Sequence, residues 1–165
     1  MITALIAIAG TLLGSIVTHY FQRATADRAA HQNFSERLRQ DRLNAYNAFA
    51  ASANEYRHHQ IERWHRLRQD PDAEVNSRPE SYSRKSALRS EQFRIKLLTN
   101  DARLQQLADE AIEAIRSIQR TGVSPASVEE HEVLYKKATA AIDAFVLHAA
   151  TDVQRQSPQN LPQRQ

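Results

Sequence analysis

The sequence predicts an all-α protein: an N-terminal transmembrane helix continuing into a long stalk helix, then an antiparallel bundle of about four helices. Three observations predict it. Nothing from Ile2 to Thr18 is charged, and the first charged side chain is Arg23. Glycine is scarce, three in 165 residues; Gly10 and Gly14 lie in that uncharged run, which leaves Gly122 alone for the turns a sheet would need. Beyond the run, apolar side chains recur at steps of three and four, the repeat of one helix face.

The opening run comes first. A helix from Ile2 to Phe21 rises about 30 Å at ~1.5 Å per residue, the thickness of a bilayer's hydrocarbon core. A cleaved signal peptide normally starts with a basic region, and none precedes this run. An amphipathic surface helix needs a polar face, which the run lacks. Arg23, Arg28, Arg37, Arg39 and Arg42 follow it and no basic residue precedes it. The positive-inside rule then puts the N-terminus outside and the rest in the cytoplasm, a single-pass protein of the inner (plasma) membrane. The expected division is 1–22 as anchor, 23–156 as helical bundle with stalk, and 157–165 as a disordered tail with Pro158 and Pro162.

From Arg23 to Gln69 there is neither Pro nor Gly, so the stalk is expected to run unbroken, with the small polar stretch 24–33 as its one candidate hinge. Phe34 and Leu38, then Tyr46, Phe49, Ala53 and Tyr56, then Ile61, Trp64 and Leu67 mark its apolar face. Asp70-Pro71-Asp72 ends it, because Pro cannot continue a helix and disfavours helix before it. A loop is expected to Pro79, then a second helix from Glu80 to Leu98 with Leu88, Phe93, Ile95, Leu97 and Leu98 turned inward. Thr99-Asn100-Asp101 reads as a break with a fresh N-cap. The third helix, Asp101 to Arg120, has the clearest stripe, Leu104, Ala108, Ala111, Ile115 and Ile118, with Gly122 at its C′ position. The fourth starts near Pro125 or at the capping box Ser127-Val128-Glu129-Glu130, with Tyr135, Ala138, Ile142, Phe145, Ala149 and Val153 facing the core.

The chain has no cysteine, which excludes disulfides, thiolate zinc sites and cysteine nucleophiles. Net charge is +3, with arginines interleaved among Glu and Asp as on a solvated helix face, so nucleic acid is not the expected partner. No glycine-rich phosphate loop, serine elbow or carboxylate pair in an apolar setting is present, and no enzymatic activity or cofactor is expected.

Three constellations remain. Gly10-Thr11-Leu12-Leu13-Gly14 is a GxxxG motif, with Thr18 one turn on, and in lipid such small residues let two helices pack closely. Gly10, Gly14 and Thr18 are therefore the candidate self-association face of a parallel homodimer. Glu55, His58, Glu62 and His65 form two E-x-x-H elements, the spacing of di-iron carboxylate bundles, although both lie on one helix. They are the candidate ligands of a metal or redox site, against the plainer reading of a polar face. Arg63, Arg66 and Arg68 surround Trp64, read as a solvated basic face around one core tryptophan.

The run Ala4-Leu5-Ile6-Ala7-Ile8-Ala9-Gly10-Thr11-Leu12-Leu13-Gly14-Ser15 with Phe21-Gln22-Arg23, the segment Glu36-Arg37-Leu38-Arg39-Gln40-Asp41-Arg42-Leu43-Asn44-Ala45-Tyr46, and the pair of helices from Phe93 to Ile118 resemble small actinobacterial membrane-anchored helical proteins of unknown function. The resemblance implies an anchor plus a cytoplasmic bundle and brings no activity with it. The expected function is a membrane-tethered, non-enzymatic module, an interaction or scaffold protein at the inner membrane face, with lipid, a second copy and an unidentified protein as partners. A metal-binding or redox bundle is the second expectation. A phage or stress effector whose opening run acts on the bilayer is the third.

Overall fold

A computed structural model gives four helices: α1 (Ile2–Gln69), α2 (Ala73–Leu98), α3 (Ala102–Arg120) and α4 (Ser127–Arg155). Backbone is described for 2–70, 73–120 and 127–155, and side chains for 19, 22–23, 25–26, 28–70, 79–120 and 128–155. The chain divides into two units, Met1–Leu38 and Arg39–Gln165.

In the first unit the expected hinge at 24–33 is helical throughout. Its described side chains are nearly all exposed, and Phe34, expected on an apolar face, is 68% exposed. Thr25 and Ser35 donate their hydroxyls back to the carbonyls of Gln22 and His31.

The expected transmembrane helix, and with it the anchor at 1–22, the single-pass topology and the inner-membrane location, is corrected. Among the described residues no helix is long and apolar enough to cross a membrane. A span needs about 20 predominantly apolar residues. The described side chains of α1 begin with His19, Gln22 and Arg23, all exposed, and charges recur at Arg28, Glu36, Arg37, Arg39, Asp41 and Arg42. The side chains of Gly10, Gly14 and Thr18 lie outside the described residues, as do Gly122, Pro125 and the tail 157–165.

The second unit is the expected antiparallel bundle, built from the C-terminal part of α1 with α2, α3 and α4. Its hydrogen bonds give the directions. Tyr46 Oη donates to Asp152 Oδ2 at 2.8 Å, Arg57 reaches Thr139, and Trp64 stacks on His131, so partners on α4 fall as numbers on α1 rise. The same holds for α1 and α2, through Arg42 to the Leu98 carbonyl (2.7 Å) and Gln60 to Ser81 (3.1 Å). Asp109 accepts from Gln92 and Lys96 and so ties α3 to α2.

Phe49, Tyr56, Leu88, Ile95, Leu104, Ile115, Ile118, Ile142 and Phe145 are wholly buried, and Phe49 and Phe145 meet at 4.6 Å between ring centroids. Each large apolar side chain so buried contributes about 1.5–3 kcal/mol. Ala45, Ala53, Ala108, Ala111 and Ala138, all at 0% exposure, let the backbones approach between them.

The break between α2 and α3 is capped as expected. Asp101 Oδ1 accepts the Leu104 N–H at 3.0 Å, and Thr99 Oγ1 accepts the Asp101 N–H at 3.1 Å, which satisfies amides that a helix start leaves without a partner.

Three expectations about faces and bounds are corrected. Helix α2 begins at Ala73, ahead of the expected Glu80, and carries Pro79 inside it. Proline removes one ladder bond there, and Pro79 itself is exposed. On α2 the buried stripe is Leu88, Gln92 and Ile95, continued by Thr99 just past its end, at steps of 4, 3 and 4, so Phe93 and Leu97 sit outside, 52% and 86% exposed. On α4 the stripe is headed by buried His131, and Tyr135 is 37% exposed.

Candidate functional site

Helices α1 and α4 run side by side in opposite directions, and the outer edge of their seam carries two depressions. The positions that line them continue one stripe on each helix. On α1 it runs Leu43, Asn47, His58, Ile61, His65 and Arg68, at steps of three, four or eleven. On α4 it runs Val128, Glu132, Tyr135, Val146, Ala150 and Val153, again on one face. The two depressions therefore open along one line.

The larger holds about 390 Å³, within the size range of small ligand sites, and is lined by His58, Ile61, Trp64, His65, Arg68, Val128, His131, Glu132 and Tyr135. At its back the Trp64 and His131 rings are stacked, 4.0 Å between centroids and 17° apart in plane. His65 meets both rings edge-on, at 5.2 and 6.1 Å. The Arg68 guanidinium lies 4.9 Å from the Trp64 centroid, and that of Arg57 lies 4.9 Å from the Tyr135 centroid. Such cation–aromatic contacts contribute about 0.5–1 kcal/mol at exposed sites.

Burial pushes the His131 imidazole below its ordinary pKa, and the neighbouring His65 pushes it further down. The His131 ring lies against Trp64, and its Nε2 is buried without a hydrogen-bond partner among the described residues. The carboxylates nearby are engaged elsewhere, Glu132 with Lys136 at 2.7 Å and Glu62 with His58 at 3.1 Å. Among the described residues no carboxylate pairs with Arg68.

The smaller depression, about 130 Å³, is almost wholly apolar and is lined by Leu43, Tyr46, Asn47, Phe145, Val146, Ala149, Ala150 and Val153. Tyr46 forms part of its wall. Burial, with the Asp152 carboxylate accepting the phenol proton's hydrogen bond, raises the Tyr46 pKa to about 12.

The four residues proposed as metal ligands are not brought together. Glu55 and Glu62 line a second cleft of about 380 Å³ between α1 and α2, His65 faces the Trp64 depression, and His58 borders both. Arg84 holds Glu80 at 2.9 Å and Glu55 at 3.7 Å across that cleft, so a cation already occupies the carboxylate end. Among the described residues no group of three or more His, Asp or Glu side chains is arranged to hold a metal ion.

The basic–aromatic cluster divides as well: Trp64 is buried and touches Arg68, while Arg66 points to solvent. Sequence reasoning missed two buried histidines, His131 and His59. His131 sits seven residues before Ala138, so extending the α4 stripe upstream finds it. His59 is 1% exposed, 3.7 Å from Glu80, and burial pushes its pKa down; only its place three residues after Tyr56 hints at this.

Fold and seam together place the chain among small helical bundle proteins whose conspicuous surface feature is a groove between two antiparallel helices. Residues 43–153, more than half of the 165, match the model of a family described as KilB plasmid transfer protein. The chain belongs to that family. The matched segment starts at Leu43 and ends at Val153, two residues of the apolar depression, and it contains both depressions of the seam. No curated protein and no solved structure matches the chain.

Proposed function

We propose that this protein is a non-enzymatic interaction module in plasmid transfer, and that the outer α1–α4 seam is the surface by which it holds a partner. One observation carries the reading. Two depressions, one aromatic and cationic, one apolar, lie on a single line of the seam, with Leu43 41% and Val146 45% exposed beside the apolar one. Apolar side chains left together at a surface mark binding sites in soluble domains. Membership in a family described as plasmid transfer protein supports plasmid transfer as the process.

The test places a carboxylate in the apolar depression. Leu43→Glu and Val146→Glu should each lower the frequency of plasmid transfer from donor to recipient cells by about tenfold or more, as loss of an interface anchor does. Circular dichroism and thermal melting should match the unmodified chain, since both positions are half open to water. Transfer at the unmodified frequency with both variants folded would overturn the reading.

A further inference from the structure

The seam has a length, a pattern of charge and a pair of anchoring points, and these specify what fits it. Ile61 lies 18 positions after Leu43, which is about 27 Å along α1 and about five whole helical turns. Between the depressions Arg57 crosses the seam to Thr139 and the Tyr135 ring. Leu43 to Asn54 contains no charge at all, although Asn44, Asn47, Ala51 and Asn54 are exposed. A solvated helix face usually carries charge. The groove between two antiparallel helices accepts a third helix, with axes about 8–10 Å apart, when small residues line it.

The two ends differ. The Leu43–Val146 end is neutral and apolar. At the other end the Arg68 cation lies over Trp64, His58 and His65 stand at the rim, and the buried Nε2 of His131 lacks a partner among the described residues. That end suits an aromatic ring carried beside carboxylates.

We propose that the seam binds an amphipathic helix of a partner protein, held by an aliphatic side chain at the Leu43–Val146 end and by a carboxylate-flanked aromatic side chain at the Trp64–His131 end. The proposal rests on reading the chain as an interaction module and adds the chemistry of the partner. Helix-in-groove recognition works through such anchors repeated on one face. Two anchors 18 positions apart share a face because about five turns separate them.

Trp64 is the only tryptophan of the chain, so its fluorescence reports on one end of the seam alone. The probes are two tryptophan-free helical peptides of about 24 residues and equal composition. One carries Leu and a Glu-flanked Phe 18 positions apart. In the other the Phe is moved by two positions, about 200° round the helix. The full-length chain should bind the first saturably, with a change in Trp64 emission, about tenfold or more tighter than the second. Arg68→Ala should weaken binding about tenfold and reduce its salt dependence. Val146→Glu should weaken it similarly while leaving the emission of the free chain unchanged, which shows that the Trp64 end is intact.

Equal affinity for the two peptides, or no binding of either, overturns the proposal. If neither binds while Val146→Glu still abolishes plasmid transfer, the interaction reading stands and the helical occupant fails. A dimer in sedimentation that Val146→Glu converts to monomer also overturns it, because a second copy then occupies the seam.

Discussion

His131 lies flat against Trp64, 4.0 Å between ring centroids, where the last described turns of α1 pass the start of α4. Stacking hides both rings, at 6% and 4% exposure. Burial also holds the imidazole pKa below its ordinary value.

A pH dependence follows from that burial. The folded-state pKa of His131 is lowered by burial and then by His65. An unfolded chain takes up the proton near the ordinary value of about 6.5 and the folded one only below it. The stability owed to the neutral ring is therefore complete above about pH 6.5 and is lost as the pH falls through the folded-state value. The urea midpoint should fall between about pH 8 and about pH 5.5, with Trp64 emission following the same transition. His131→Phe keeps a flat ring without a titrating group, so its midpoint should vary less over that range. His59, also lowered by burial, should supply what dependence remains. An identical pH profile in the variant would remove His131 from the account.

The bundle was legible in the sequence where side-chain chemistry and period agree. The α3 stripe from Leu104 to Ile118 reads cleanly because each member is apolar, and all five are buried. On α2 the core stripe passes through Gln92 and, just past its end, Thr99, so polarity disguised the true face and drew Phe93 and Leu97 inward in its place. Gln92 is tolerated inside because its amide donates to Asp109. The seam was legible only in fragments: Trp64 and Arg68 are neighbours on one helix, but His131 and Tyr135 join them through an antiparallel pairing that no local pattern contains. Glu55, His58, Glu62 and His65 show the limit of spacing on one helix. Glu55, His58 and Glu62 line one cleft, His65 lines the other, and His58 borders both.

The corrected face of α2 can be tested by a contrast of two positions two residues apart. Leu97 is 86% exposed, so Leu97→Lys should change stability by no more than about 0.5 kcal/mol. Ile95 is wholly buried, and Ile95→Ala should cost about 2–5 kcal/mol through lost burial and the cavity left behind. Chemical denaturation of the two variants decides it. A loss at Leu97 as large as that at Ile95 would restore the face first expected from the sequence, which had both turned inward.

Asp101 joins the α2–α3 break to α4 by two separate bonds. One carboxylate oxygen accepts the Leu104 N–H at 3.0 Å and the other lies 2.8 Å from His148 Nε2. The Leu104 amide, and after it the His148 ring, hold the Asp101 carboxyl below its ordinary pKa. For a carboxylate depressed in this way the sign is opposite to that of a raised group. Its contribution is present above the unfolded value of about 3.9 and is lost as the pH falls through the folded one. The two bonds can be separated by substitution. Asp101→Ala removes both, and loss of the cap alone should cost about 0.5–2 kcal/mol. Asp101→Asn keeps a good capping acceptor while removing the charge and its titration. At neutral pH the Asn variant should lie between the Ala variant and the unmodified chain. Below about pH 4 the unmodified chain should lose its advantage over the Asn variant, as its own carboxylate takes up a proton. Thermal unfolding across that range measures both effects. If Asn and Ala are equally destabilising at neutral pH, the contribution of Asp101 comes from its charge beside His148, and its capping of α3 contributes nothing measurable.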